Sequence, residues 1–386
     1  MATNDQNFLT TEVQRFTALD VFRGMTICFM VIVNTPGNED TTFAPLHHAA
    51  WHGFTPTDLV FPSFMFAVGN AMSFVMKKWD SYPTQKVLGK VFKRAAIIFL
   101  LGYLMYWFPF VQKVDGHITF RPITETRIFG VLQRIALGYL FASLMIYFFK
   151  LRTTIIITAI ILVAYWPIMV LLGDSPDPLA IQANPIFKLD TWLIGFKHMY
   201  ADHYNGVRVP FDPEGLLSTF PAIGNVVGGY AVGKYVQQKG KTYEGLTNIM
   251  LWGFALLVIA HFWNYTFPIN KKLWTSSFVL QTVGLDCMII SAVIYLIDFK
   301  HKKGQWTTFF ETVGKNPLPV YLLSELLIIA FYVIQIGDKP LWQWLFDNIF
   351  SLASPYVGSL LQATTYMLIC WGFGYWLNKK KIYIRV

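Results

Sequence analysis

Charged side chains are scarce in this sequence. Asp, Glu, Lys and Arg supply 14% of its 386 residues, where soluble domains carry about 25%, and mean hydropathy is +0.44. That balance excludes an ordinary water-soluble enzyme and points to a polytopic membrane protein. Cysteine is also scarce. Cys28, Cys287 and Cys370 each lie inside an apolar run, without CxxC spacing, so neither a disulfide framework nor a thiolate metal site is expected. Acidic residues are outnumbered, leaving a net charge of +9. The lysines and arginines are nevertheless scattered over many short loops, which is a topology pattern and excludes a nucleic-acid-binding face. Coiled coils, low-complexity stretches and obvious internal repeats are missing, and no small-residue cleavage site follows the first apolar run, so no signal peptide is expected.

What is present is a series of membrane-length apolar runs. A helix crossing about 30 Å of hydrocarbon needs roughly 20 mostly apolar residues. About ten such runs occur, at 17–34, 58–76, 94–112, 128–149, 153–173, 215–235, 246–266, 275–297, 316–336 and 356–377. A shorter apolar piece at 341–352 is expected to lie at the interface. The expected fold class is all-α: a short cytoplasmic segment, 1–16, followed by a single transmembrane domain, 17–386. With the N-terminus inside, most basic residues fall on that side, among them Arg15, Lys77, Lys78, Lys150, Arg152, Lys300 and Lys379. The excess of positive charge places both termini in the cytoplasm, and the 35–57 and 174–214 loops on the far side.

One stretch stands out, 46–62, reading L-H-H-A-A-W-H-G-F-T-P-T-D-L-V-F-P. Titratable groups crowded at the mouth of two membrane helices are costly to keep there, and mark an active site. Asn34 closes the first span, His47, His48 and His52 follow, and Asp58 opens the second. A neutral imidazole beside a carboxylate is held in one tautomer, with its other nitrogen free to take a proton, so His48 and Asp58 are the leading acid–base pair. Asp58 in T-P-T-D is equally well placed to cap a helix. His48 and His52 are four apart, as zinc ligands are, but the metalloprotease pattern needs a glutamate where Ala49 stands; no metal is expected, although His48, His52 and Asp58 leave a three-ligand reading open.

Other polar groups fall within or beside the spans. Asp20 and Arg23, with Arg15 below them, read as a salt bridge and anchor or as an anion-binding entrance. Gln133 and Arg134 lie a third of the way into the fourth span, where an arginine needs a partner or ligand. Asp212 and Glu214 reach the outer mouth of the sixth span, as capping groups or as contacts for a cationic or hydroxyl-rich substrate. Asp286 and Glu325, the latter following Asn316 and Tyr321, are intramembrane carboxylates of the kind that relay protons.

These residues carry a resemblance. L-D-V-F-R-G from Leu19, V-N ending at Asn34, H-H-A-A-W-H-G-F-T-P-T-D-L-V-F-P, G-V-L-Q-R, P-E-G-L-L-S-T, F-P-I-N-K-K-L-W-T-S-S-F and N-P-L-P-V-Y-L-L-S-E are similar, in order and spacing, to the heparan-α-glucosaminide N-acetyltransferase family, including its bacterial, NagX-like relatives. The resemblance implies a multi-helix acyltransferase that takes acetyl from cytosolic acetyl-CoA and delivers it to an amino sugar or related glycan across the membrane. In it, His48 falls on the catalytic histidine and Asn34 on the asparagine ending the first helix. Arg15, Arg23 and Arg134 fall on arginines suited to the CoA phosphates, and Asn316 and Tyr321 on a segment near the acyl channel.

On this reading His48, Asn34 and Asp58 are catalytic, while Arg15, Arg23, Gln133, Arg134, Asn316 and Tyr321 bind acetyl-CoA. Trp51, His52, Glu214 and Glu325 are the candidate acceptor contacts. The resemblance further implies a homodimer in the cytoplasmic membrane, with the active-site loop facing the periplasm. Two competing classes are a proton-coupled sugar permease using Asp286 and Glu325, and a zinc hydrolase using His48, His52 and Asp58.

Overall fold

A computed structural model describes residues 16–79, 81–114, 117–204, 206–352 and 354–384. Helices α1 (Thr17–Asn34), α2 (Pro56–Trp79) and α3 (Thr84–Trp107) are followed by a hairpin, β1 (Val111–Val114) and β2 (His117–Phe120). Next come α4 (Val131–Phe148), α5 (Leu151–Leu171), the short α6 (Pro185–Leu193) and a second hairpin, β3 (Ala201–Tyr204) and β4 (Val207–Pro210). The chain continues as α7 (Leu216–Lys239), α8 (Tyr243–Trp263), α9 (Ser276–Ile294), α10 (Gln305–Gly314) and α11 (Pro317–Val333). A two-residue hairpin, β5 (Gln335–Ile336) and β6 (Lys339–Pro340), leads to α12 (Leu341–Leu345) and α13 (Pro355–Lys379). The protein is an all-α polytopic membrane protein, and among the described residues strands occur only in three antiparallel hairpins.

Among the described residues, seven helices are long and apolar enough to cross a membrane, or up to eight if α10 and α11 form one broken span. About ten were expected, and the shortfall has a chemical cause. α3 is 24 residues long but carries Lys86, Lys90, Lys93 and Arg94 in its first half. α13 is 25 residues long but is diluted by Gln362, Thr364, Thr365 and glycines. The expected span at 316–336 is α11, which joins α10 through a 79° bend. Pro317 opens α11, and the Asn316 side chain at the bend holds the C-terminal tail, donating to Ile382 O (3.0 Å) and accepting from Ile384 N (3.1 Å). The apolar piece at 341–352 is not simply laid on an interface: Trp342 is buried and donates to Pro36 O (3.1 Å), at the exit of α1.

The bundle is layered. The apolar windows of α2 and α7 are each 72% buried inside the protein, whereas those of α5 and α8 are 28% buried and turn Ile155, Ile160, Val163, Leu251, Phe254 and Phe262 outward. A helix apolar on its outer face needs lipid there. Two inner helices touch backbone to backbone. A methyl group at Gly69 of α2 would fall 1.9 Å from Val226 O, and one at Gly229 of α7 would fall 1.9 Å from Phe66 O; small residues at such crossings let membrane helices approach closely.

The described residues of segments 35–55, 108–130, 172–215, 264–275 and 334–354 gather at one end of the bundle. Gly53 N donates to Ile269 O (2.8 Å), Ile128 N to His198 O (3.1 Å), and the Trp51 indole to Leu179 O (3.1 Å). Connections at the opposite end, such as 149–150 and 240–242, are short.

Replacing Gly229 by alanine should cost about 1–3 kcal/mol through overpacking, visible as a lower unfolding temperature in detergent. Gly372→Ala should leave that temperature unchanged, because its added methyl meets nothing within 4 Å.

Candidate active site

The site is assembled around the first turn of α2. Pro56 takes the first helical position, where a missing N–H leaves no bond unmade. Asp58, two residues on, is 1% exposed. Its Oδ2 accepts from the N–H groups of Thr55 (3.0 Å) and Ala49 (3.1 Å), with the Thr55 hydroxyl at 3.1 Å. Its Oδ1 faces His48 Nδ1 at 2.7 Å. The two contacts expected of Asp58 are made by different oxygens: one caps the helix and fastens the loop, and the other faces the histidine. Because a carboxylate only accepts, the ring hydrogen lies on Nδ1 and the Nε2 lone pair is left as the proton acceptor. The His48 side chain is 40% exposed.

The third member comes from the segment between α8 and α9. Lys271 Nζ lies 3.1 Å from Nδ1 and 3.2 Å from Nε2 of His48, and 3.9 Å from Asp58 Oδ1. Burial, then the adjacent Lys271 ammonium, hold the His48 imidazole below its ordinary value of 6.5, and Asp58 only partly offsets them. The ring is thus unprotonated at neutral pH. The supporting backbone is strained: Trp274 has φ of 50°, a left-handed conformation that costs a bulky residue roughly 1–3 kcal/mol. It is held by a hydrogen bond from its indole to Asn225 Oδ1 (3.1 Å) and by the Arg134 guanidinium 4.7 Å over the ring.

The remaining candidates are dispersed. Asn34 ends α1 at the same end of the bundle, exposed and without a side-chain partner among the described residues. The exposed His52 accepts from Asn270 Nδ2 (3.3 Å), and desolvation lowers its affinity for a proton. Its partner is therefore an amide, and among the described residues no three His, Cys, Asp or Glu side chains are grouped to hold a metal ion. Trp51 is buried against Phe211, ring centroids 5.6 Å apart, so it shapes the wall beneath the loop.

Arg134 does not share a site with Arg23. Fully buried near the start of α4, it donates to Gly215 O (3.2 Å) and to the Ser218 hydroxyl at the start of α7, on the His48 end. Arg23 donates to Gly314 O (3.0 Å) and pairs with Asp20 (3.5 Å), about 17 Å along α1 from Asn34 at 1.5 Å per residue. Depth in the fourth span was legible; the end from which it is counted depends on helix direction. Arg15 lies outside the described residues. Gln133 is buried, neither of its side-chain polar atoms has a hydrogen-bond partner among the described residues, and it packs on Gly102 of α3. Asn316 is engaged by the C-terminal tail, while Tyr321 and Glu325 stand one turn apart on α11, which packs on α3.

Glu214 is not a free carboxylate. Arg127, which no sequence motif singled out, bonds Asp212 through Nε (2.9 Å) and Nη2 (2.7 Å), and Glu214 through Nη2 (2.6 Å), between the rings of Tyr106 and Tyr200. Asp190 was also missed: it accepts from Leu216 N (3.1 Å) at the start of α7, and burial pushes its carboxyl up to about 7. Lys271 was present in the F-P-I-N-K-K-L-W motif, but as one more loop cation.

Fold and site together define a polytopic membrane protein with a histidine–carboxylate pair and a lysine in contact at one mouth of its helix bundle. The catalytic region described as "Heparan-alpha-glucosaminide N-acetyltransferase, catalytic" matches residues 15–262, more than half of the chain, and the chain belongs to that family. It is 26% identical to heparan-alpha-glucosaminide N-acetyltransferase of Mus musculus over 97% of this chain and 61% of that protein. Against the Homo sapiens protein of that name it is 26% identical, over 81% of this chain and 53% of the other. The chain thus spans between half and two thirds of the length of these relatives.

Asp58→Ala leaves the Thr55 and Ala49 N–H groups without their acceptor. A loss of about 1–3 kcal/mol for each donor left buried is expected, measured as a drop in unfolding temperature in detergent, with Asp58→Asn losing less.

Proposed function

We propose that this chain is a transmembrane acetyltransferase, moving acetyl from acetyl-CoA on its basic, short-loop face to an amine of a glucosamine-type sugar on the His48 face. The observation that carries the reading is the His48–Asp58 pair at 2.7 Å, which leaves Nε2 as a base at the mouth of the bundle. Support comes from Lys271, whose primary ammonium lies 3.2 Å from Nε2: the space beside the base accommodates a group of the kind an amino sugar presents. By this reading the basic face is cytoplasmic, and the protein works as a homodimer in the cytoplasmic membrane with His48 toward the periplasm.

His48 Nε2 takes the proton of the acceptor amine as its nitrogen bonds to the acetyl carbon. Asp58 stabilises the imidazolium that forms. The carbon–sulfur bond breaks, and the proton held on Nε2 passes to the departing thiolate, giving the amide and free CoA. Asn34, unpartnered at the same end, supplies a hydrogen-bond donor to the oxyanion. The acetyl donor's thioester makes the carbonyl reactive, and the protein contributes position and proton transfer. Arg23, with Arg15, is assigned to the phosphates at the basic face. Arg134, whose Nε and Nη1 have no hydrogen-bond partner among the described residues, is assigned to carbonyl oxygens nearer the reacting end.

The test uses the purified protein in liposomes, with acetyl-CoA on one side and glucosamine on the other. N-acetylglucosamine should form only when acetyl-CoA is present, and His48→Ala should lower the rate by about two to four orders of magnitude. Near-wild-type turnover by that variant would end the assignment. Accumulation of unmodified sugar without acetyl-CoA would instead support a permease.

A further inference from the structure

We propose that Lys271 is a positioning residue of this site: its ammonium, set against both ring nitrogens of His48, keeps the imidazole in its base form and drives the captured proton onward to the thiolate. The inference deepens the acyl-transfer reading and rests on it for the second half of the statement. The first half stands on geometry alone.

The contact brings together a lysine and a histidine 223 residues apart. Lysine and imidazole are both bases, and placing them 3.1–3.2 Å apart disfavours charge on both at once. Asp58 decides which carries it. Its Oδ1 lies 3.9 Å from Nζ and accepts the Nδ1 hydrogen at 2.7 Å, so one carboxylate serves an ammonium and a neutral ring. Lysine starts about four units above histidine in proton affinity; burial lowers that affinity and the Asp58 carboxylate raises it again in part, and we place the charge on Lys271. Among the described residues, the charged groups facing His48 are Asp58 of α2 and Lys271, with Lys272 of the same segment as a smaller influence. His47 is turned away, its Nε2 on Thr42 O (3.1 Å), and His52 is taken by Asn270.

The position of Lys271 is built. Its segment is fixed by Asn264 Oδ1 accepting from Ile269 N (2.7 Å), and Asn270 Oδ1 accepting from Leu273 N (2.8 Å). Gly53 N ties the histidine loop to Ile269 O. The Lys271 side chain is 18% exposed, so its charge is poorly screened at the ring. When the acceptor amine enters, Lys271 gives up its contact with Nε2 and stays beside Asp58. An imidazolium formed next to an ammonium is a stronger acid than one formed beside a carboxylate alone, and its proton transfers more readily to sulfur. Lys271 lies beyond residue 262, where the match to the catalytic region ends.

The sign follows directly. A base with lowered proton affinity stays unprotonated to lower pH, so the acid limb of kcat/KM should fall below pH 6.5 in the wild type. Removing the cation with Lys271→Met should move that limb up by about one pH unit or more, so that the deficit is largest in acid and shrinks above pH 8. Lys271→Arg should restore the limb. A parallel measurement needs no turnover: the rate of diethylpyrocarbonate modification of His48, followed by mass spectrometry of its peptide across pH, reports the unprotonated ring directly. Its midpoint should move up in Lys271→Met and return in Lys271→Arg. An unchanged modification midpoint in Lys271→Met would overturn the proposal, as would a rate loss equal at every pH. A shifted midpoint in a protein that transfers no acetyl would uphold the role of Lys271 at the ring and reject the acyl-transfer reading instead.

Discussion

The functional end depends on one buried carboxylate. A charged group removed from water is tolerated only when its lone pairs are met, and Asp58 accepts hydrogen bonds from the start of its own helix and from the loop before it, while the Lys271 ammonium of the segment before α9 lies 3.9 Å away and balances its charge. Those bonds do structural work first. They tie the histidine-rich stretch, which has little regular secondary structure, to the rigid end of α2, and the angle at which His48 presents its second nitrogen follows from the same bonds. A site on a loop acquires the precision of a site on a helix because its anchor is the helix cap.

Two compensated charge clusters lie at this end of the bundle, and they differ in what they leave accessible. In the Arg127 cluster every guanidinium nitrogen has an acceptor, two carboxylates share the cation, and two tyrosine rings cover its faces. Nothing there is left to react, and it staples the 108–130 segment to the entrance of α7. Around His48 the charges also balance, but the ring is partly exposed, and among the described residues its Nε2 faces only the Lys271 ammonium.

The layered bundle serves the same end. Helices α2 and α7 meet at glycines, with no side chain between their backbones, so the elements that carry Asp58 and the Gly215–Ser218 partners of Arg134 are held at a fixed separation. Outer helices α5 and α8 take up the lipid contact. Much of this was legible in advance: apolar runs of membrane length, the Thr-Pro-Thr-Asp helix start, and the pairing of His48 with a carboxylate ten residues away are local properties. The broken helix at Asn316 was not, because a bend that satisfies its freed groups on the C-terminal tail leaves no mark on hydropathy. The ion pair that occupies Glu214 was equally hidden, its arginine lying 87 residues earlier.

By itself the sequence determined the class of protein, an α-helical membrane bundle, because the length and apolarity of each run are set residue by residue against the thickness and dielectric of a bilayer. It also determined that His48 and Asp58 would be neighbours, since a short loop before a capped helix allows little else. Only the tertiary structure decided what surrounds them. Whether a cation reaches an imidazole depends on which loops share an end of the bundle and how deeply they are buried, and the Coulomb interaction between Lys271 and His48 falls with distance in space while taking no account of distance along the chain.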